Sequence, residues 1–201
     1  MPGQKATEAT RREQILRAAY AVALRRGIDG LTVRAVAARA QLSHSLVLFH
    51  FKRKDQLGLA LLDRVLATTV SPRVPADVSS ISDPMERLRV LFRHEIRRLA
   101  AEPRRIRLLL EYWARGGHNA VIRRKIGAGL DDYRATFRTI AEEARAAQPK
   151  RFAPEWPAGV AAATVSLILG HPVQAMLDPA KLGNGDYLAS VEGLFGPGIP
   201  S

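Results

Sequence analysis

An all-α fold in two parts is what this sequence predicts, and three observations carry the prediction. Apolar residues recur at spacings of three and four along nearly the whole chain of 201 residues, and no stretch alternates apolar and polar residues as a half-buried strand would. Pro72, Pro75, Asp77, Ser79, Ser80 and Ser82 interrupt that periodicity and mark a linker. Charge is also unevenly shared: residues 1–54 hold 11 Lys and Arg against 3 Asp and Glu, and the rest hold 20 against 16. Most of the formal net charge of +12 therefore lies in the first quarter of the chain.

Ile15, Ala18, Ala19 and Val22 form the apolar stripe of a first helix that Gly27 ends. Thr32 is placed to cap a second helix from Val33, on which Val36, Ala37 and Ala40 make one narrow apolar face. Ala37 carries only a methyl, so another helix can cross close by; Gln41-Leu42 is a short turn with Leu42 as its apolar plug. Ser43 caps a third helix from about His44 to Phe51, with Val47 and Phe51 pointing inward and His44, Ser45, Leu46 and Phe49 outside. A fourth helix carries Leu57, Leu61 and Val65 toward Val70.

Beyond the linker, Asp83-Pro84 opens a helix with Pro at its first position, followed by Met85, Leu88, Phe92, Ile96 and Leu99 on one face. Residues 104–115 carry Ile106, Leu109, Leu110 and Trp113 and stop at Gly116-Gly117. The cleanest stripe comes next, with Ile122, Ile126, Leu130, Tyr133, Phe137, Ile140 and Ala144 spaced for core packing. Gly159 to Leu169 is apolar all round its helix and predicts cover on both sides, by the core and by a second subunit, with Val165 and Leu169 as candidate partner-facing residues. Residues 186–195, with Tyr187, Leu188, Val191, Leu194 and Phe195, read as the helix that pairs with it.

Composition narrows the function classes. The chain has no cysteine, hence no disulfide, thiolate metal site or cysteine nucleophile, and suits a reducing compartment. Its first ten residues are polar with no apolar segment after them, so no signal peptide is expected. The longest apolar run, Ala158 to Leu169, reads as broken by Gly170-His171-Pro172 and too short to cross a bilayer, which predicts a soluble protein. The five histidines never pair at metal-ligand spacing on one helix, and His94-Glu95 lacks an HExxH frame. Gly127-Ala128-Gly129 and Gly183-Asn184-Gly185 lack the lysine or strand context of a phosphate loop, and the adjacent Asp131-Asp132 point apart. Neither an enzyme nor a bound cofactor is expected.

The outward face of the third helix is unsuited to water and suited to a DNA major groove. Ser and His can hydrogen-bond base edges, and Leu46 or Phe49 can pack on a thymine methyl. His50, Lys52, Arg53 and Lys54 follow where a helix seated in a groove would meet phosphates. Spacing alone fits an ordinary helical hairpin with a solvated basic end equally well. The wider sequence discriminates: residues 10–19 (TRREQILRAA), 26–34 (RGIDGLTVR), Ala37-Ala38, Leu42-Ser43, His50-Phe51 and residues 54–57 (KDQL) together resemble the N-terminal domain of the TetR family of transcriptional regulators. The resemblance spans roughly residues 10 to 60.

That resemblance implies a three-helix helix-turn-helix domain over residues 1–54 and a helical ligand-binding and dimerisation domain over residues 55–201. It implies a cytoplasmic homodimeric repressor that binds a palindromic double-stranded operator and is released by a small-molecule effector, with the helix from Asp55 to Val70 as the lever. Phosphate contacts carry over to Thr32, His50 and Lys54, and the wider DNA-facing set is Arg34, Ser43, His44, Ser45, Leu46, Leu48, Phe49 and Lys52. The chain departs from the family pattern at Gln41 (usually glycine), Ser45 (often glycine or proline), Leu46 (often threonine) and Leu48 (usually a tyrosine that bonds a phosphate). Candidate effector contacts are His94, Tyr112, Trp113, Tyr133, Phe137, His171 and Met176, large or polar-tipped groups on otherwise apolar helices. Arg93, Arg97 and Arg107 can make either an anion site or a solvated face. A helical binding or assembly protein without operator reading is the second hypothesis, kept open by Leu46 and Leu48.

Overall fold

The computed structural model describes residues 7–70, 74–178, 187, 190 and 191. Among these, the elements are helices only: α1 (Glu8–Arg26), α2 (Val33–Ala40), α3 (His44–Phe51), α4 (Lys54–Thr69), α5 (Ala76–Ser79), α6 (Pro84–Ala100), α7 (Pro103–Gly116), α8 (Ala120–Ala147) and α9 (Trp156–Leu177). They pack as two compact units, one of Met1–Thr69 with Arg107–Gly127 and one of Val70–Ile106 with Ala128–Ser201. Packing thus divides the chain at other points than residue 54, and the first unit includes a segment from the second half of the sequence.

In the first unit α1 packs on α2 and α4, with Ile15, Ala19, Val36, Val47, Phe51, Leu57 and Leu61 in its core. Local chemistry sets each boundary. The hydroxyls of Thr7, Thr32 and Ser43 accept the N–H groups of Thr10, Ala35 and Leu46, which satisfies donors that open α1, α2 and α3. Gln41 ends α2 in the left-handed region (φ 56°, ψ 44°), and the Leu42 N–H returns to the Ala37 carbonyl at 3.0 Å. The turn that glycine usually serves in the family is therefore kept by a glutamine, at a cost of about 1–2 kcal/mol. Gly27 ends α1 at φ 70°, and a Cβ there would lie 2.9 Å from a carboxylate oxygen of Glu111, so both backbone angle and space require glycine.

In the second unit α6 packs on α9, and Leu88, Leu91, Phe92, Ile96, Leu99, Tyr133, Phe137, Val165 and Ile168 are buried. Asp83 caps α6 by accepting the Met85 N–H at 3.1 Å, with Pro84 at the first helical position. Four expectations need correction. The Pro- and Ser-rich stretch contains the single turn of α5, because Val78 finds a buried site. The inward face of α7 is turned by a residue: Leu108 and Tyr112 are buried with Ile106 and Leu109, whereas Leu110 and Trp113 are half-buried. Burial of Tyr112 is possible because its hydroxyl donates to the Gly58 carbonyl at 2.7 Å.

The third correction concerns α9. Gly170-His171-Pro172 does not break it, and the helix continues through Pro172 to Leu177. It is 22 residues long with an 18-residue stretch of mean hydropathy 1.5, long and apolar enough to cross a membrane, a test that core helices also pass. The fourth is its orientation: Val165 and Leu169 are buried within their own chain, and the face left open carries Ala158, Gly159, Ala162, Ala163 and Ser166. The expected helix over 186–195 lies outside the described residues apart from Tyr187, Ser190 and Val191.

Candidate nucleic-acid interface and effector site

The third helix presents the expected outward surface. Val47 and Phe51 are buried; His44, Ser45 and Phe49 are exposed, and Leu46 and Leu48 are half-buried. Phe49 is 75% exposed, a large apolar ring left in water by this chain alone. Residues 31–53 contain no Asp or Glu, so nothing on this surface repels phosphate.

Each candidate polar group keeps a usable valence. The Thr32 hydroxyl accepts the Ala35 N–H at 3.1 Å, which leaves its own O–H to donate. The Ser43 hydroxyl accepts the Leu46 N–H at 3.2 Å and lies 3.1 Å from the Ser45 hydroxyl, so the two serines share a proton and one O–H remains. Arg34, His44, Lys52 and Lys54 are exposed and have no hydrogen-bond or ion-pair partner among the described residues. Half-buried His50 meets Phe49 edge-on at 5.2 Å, and its Nδ1 is without a partner among the described residues.

Residues outside the motif aim this surface. Arg12 of α1 donates to the His50 carbonyl at 2.6 Å and places its guanidinium 4.4 Å from the Phe51 ring centroid, so one side chain caps the end of α3 and stacks on its inward face. Gln14 donates to the Ala40 carbonyl at 2.9 Å. From α7, Glu111 accepts the Ile28 N–H at 2.6 Å and Arg115 pairs with Asp29 at 2.5 Å, fixing the loop that leads into α2. Lys125 of α8 pairs with Asp63 of α4 at 2.6 Å. Sequence reasoning missed Glu111 and Arg115, because nothing local marks a partner some 80 residues away in the chain.

In the second unit Tyr133, with Phe137 beside it, lies against a buried carboxylate, Glu95, that the sequence does not mark as a site. Glu95, 1% exposed, receives Arg98 through both oxygens at 2.9 and 2.6 Å, and the Tyr133 hydroxyl donates to it at 2.5 Å. Burial first, and then the neighbouring Glu95 charge, push the Tyr133 phenol well above its ordinary value. Burial lowers Arg98, but its hydrogen bonds and attraction to Glu95 outweigh that and raise it. Phe137 meets Tyr133 edge-on at 5.5 Å. His171 is fully buried and stacks on Tyr187 at 4.1 Å, with the Tyr187 hydroxyl donating to the Leu167 carbonyl. His94 is exposed at 3.9 Å from Glu95, and Met176 is half-buried. Tyr112 and Trp113 belong to the first unit, where the Trp113 Nε1 is buried without a partner among the described residues.

Comparison with known proteins bears on both units. A profile described as bacterial regulatory proteins of the tetR family matches residues 15–61, and one described as the C-terminal part of BetI-type transcriptional repressors matches residues 84–193. The chain belongs to the TetR family of transcriptional regulators. An uncharacterised helix-turn-helix transcriptional regulator from the region 5′ of dhlA in Xanthobacter autotrophicus is 33% identical over 113 residues, covering 55% of each protein. The chain thus spans about half the length of that curated relative. A transcriptional regulator of Saccharomonospora viridis, solved in complex with choline, shares the TetR fold at a TM-score of 0.74 and 19% identity, over 91% of this chain and 94% of that one. A TetR regulator of Haloarcula marismortui gives 0.74 and 19% over 92% and 96%.

Proposed function

We propose that this TetR-family chain is a homodimeric repressor that reads a palindromic operator with α3 and releases it when a small-molecule effector binds the second unit. The observation that carries the reading is the carboxylate-free surface of α2 and α3, with capped helices, an exposed Phe49 and unpaired cations at positions 34, 52 and 54. Residues 1–54 supply the operator contacts in this reading, and residues 55–201 supply effector binding and dimerisation. Regulation rather than catalysis is its role, in the cytoplasm and away from any membrane, with α9 packed on protein.

The open face of α9 is the dimer surface. Ala158, Gly159, Ala162, Ala163 and Ser166 let another helix approach closely, and a Cβ at Gly159 or Gly170 would meet nothing within 4 Å in the single chain. The effector is a small organic molecule held by aromatic and polar-tipped groups near Tyr133, Phe137 and His171; choline in the Saccharomonospora regulator is one such molecule. It weakens DNA binding only as far as it prefers the DNA-incompetent arrangement.

A fluorescence titration with duplexes from the DNA flanking its own gene tests the reading. Tight binding that survives excess random competitor supports it, and equal affinity for random duplex favours a helical binding protein without operator reading. Lys54→Ala is expected to weaken binding to all sequences alike and to flatten the salt dependence by about one counterion; an unchanged salt slope counts against the phosphate contact. His44→Ala is expected to relax base preference with a loss of about 1–3 kcal/mol on the operator alone. An equal loss on random DNA would refute base reading by His44.

A further inference from the structure

We propose that the first unit carries a second small-molecule site, for an amphipathic carboxylate, in an open-sided cavity of about 340 Å³ that includes Lys54 in its wall. The volume falls at the small end of ligand pockets. Its apolar surface comes from Ile28 and Leu31 on the loop before α2, Leu59 of α4, and Val121 and Ile122 of α8. Val121 is 40% exposed, so part of this surface stands in water and gains by being covered.

The polar wall decides the ligand's charge. Lys54 has no hydrogen-bond or ion-pair partner among the described residues. Arg115 spends one nitrogen on Asp29 and keeps further N–H donors. The Asn119 carbonyl oxygen accepts the Val121 and Ile122 N–H groups at 3.0 and 3.2 Å, so its amide NH2 is what it has left to offer. Asp55 is the one carboxylate among the lining residues, and Asp29 offsets part of the Arg115 charge, which leaves Lys54 as the cation without a carboxylate partner among the described residues. The Tyr112 hydroxyl is already committed to Gly58. Two cations and an amide beside an aliphatic floor fit a carboxylate with a compact apolar body, its charge at Lys54 and Arg115.

Occupancy has a direct consequence. A carboxylate on Lys54 competes with DNA phosphate for the same ammonium, so ligand and DNA weaken each other by an equal factor. This coupling rests on the operator reading proposed above; binding to the cavity does not.

Fluorine NMR of the full chain without DNA, titrated with 6-fluoro-2-naphthoate, measures the site. Saturable binding is expected, weakened about tenfold or more by Val121→Glu, which sets a like charge at an exposed position, and about tenfold in the neutral 6-fluoro-2-naphthamide. Gly58→Phe is expected to fill the cavity that Gly58 lines, where a Cβ would meet nothing within 4 Å, and to abolish binding. Circular dichroism establishes that each variant is folded; should Gly58→Phe fail to fold, Val121→Glu decides. No saturable binding, unchanged affinity in Val121→Glu, or equal affinity of acid and amide overturns the proposal. With DNA added, naphthoate is expected to weaken random and specific duplex alike in the wild type and to lose that effect in Lys54→Ala. A probe that binds as expected while the chain shows no operator preference leaves the site standing and removes only the operator reading.

Discussion

Glu95→Ala is expected to cost about 3–5 kcal/mol of unfolding free energy, read from urea denaturation, because it leaves a half-buried guanidinium and a fully buried phenol without their shared partner. The loss comes from the charge left behind and not from the pair's own worth. Replacing Glu95 and Arg98 together with leucines is therefore expected to recover much of it. Tyr133→Phe removes one hydrogen bond from a carboxylate that keeps its arginine, and a loss of about 1–3 kcal/mol is expected. If the Glu95 variant were as stable as the wild type, the triad would not be organising the second unit.

Ala162→Glu is expected to give a folded monomer by sedimentation velocity and to lower operator affinity by about 10²–10⁴-fold. Two linked reading heads bind far more tightly than one even when neither gains a contact. The position is exposed in the single chain, so the substitution spares the fold. Val165→Glu, three residues along, is expected to behave differently: Val165 is 3% exposed, and a carboxylate there has no partner, so the variant unfolds before it dissociates. An intact dimer in Ala162→Glu, together with a folded monomer in Val165→Glu, would turn the helix round and restore the orientation expected from sequence.

The contrast between those two positions shows where sequence reasoning stops. Period and caps were enough to place α1 to α4 closely, because Thr32, Ser43 and the apolar spacing around them act within one helical turn. From Gly159 to Leu169 every position of α9 is small or apolar, so no hydropathy contrast distinguishes its faces, and Val165 reads as outward. Pro172 likewise signals a break, yet it sits within a continuous helix, since flanking packing can hold a helix that lacks one hydrogen bond.

The candidate site divides in the same way. His44, Ser45 and Phe49 were legible as outward residues from the 3.6-residue period alone. Arg12, Glu111 and Arg115 were not, because their importance lies in contacts that only the folded chain creates. Glu95 did carry a signal. It lies three positions after Phe92 and four after Leu91, on the buried stripe of α6, and a carboxylate at such a position demands partners.

The hydrogen bond from Ile28 N–H to Glu111 also bears on portability. A chimera that grafts residues 1–69 onto another regulator would leave that N–H open, lose the Asp29 partner, and lose the Tyr112 hydrogen bond to the Gly58 carbonyl. The transplantable piece is discontinuous: recoding DNA specificity by exchange requires residues 107–127 to travel with the reading helices, or the recipient to offer a carboxylate where Glu111 stands.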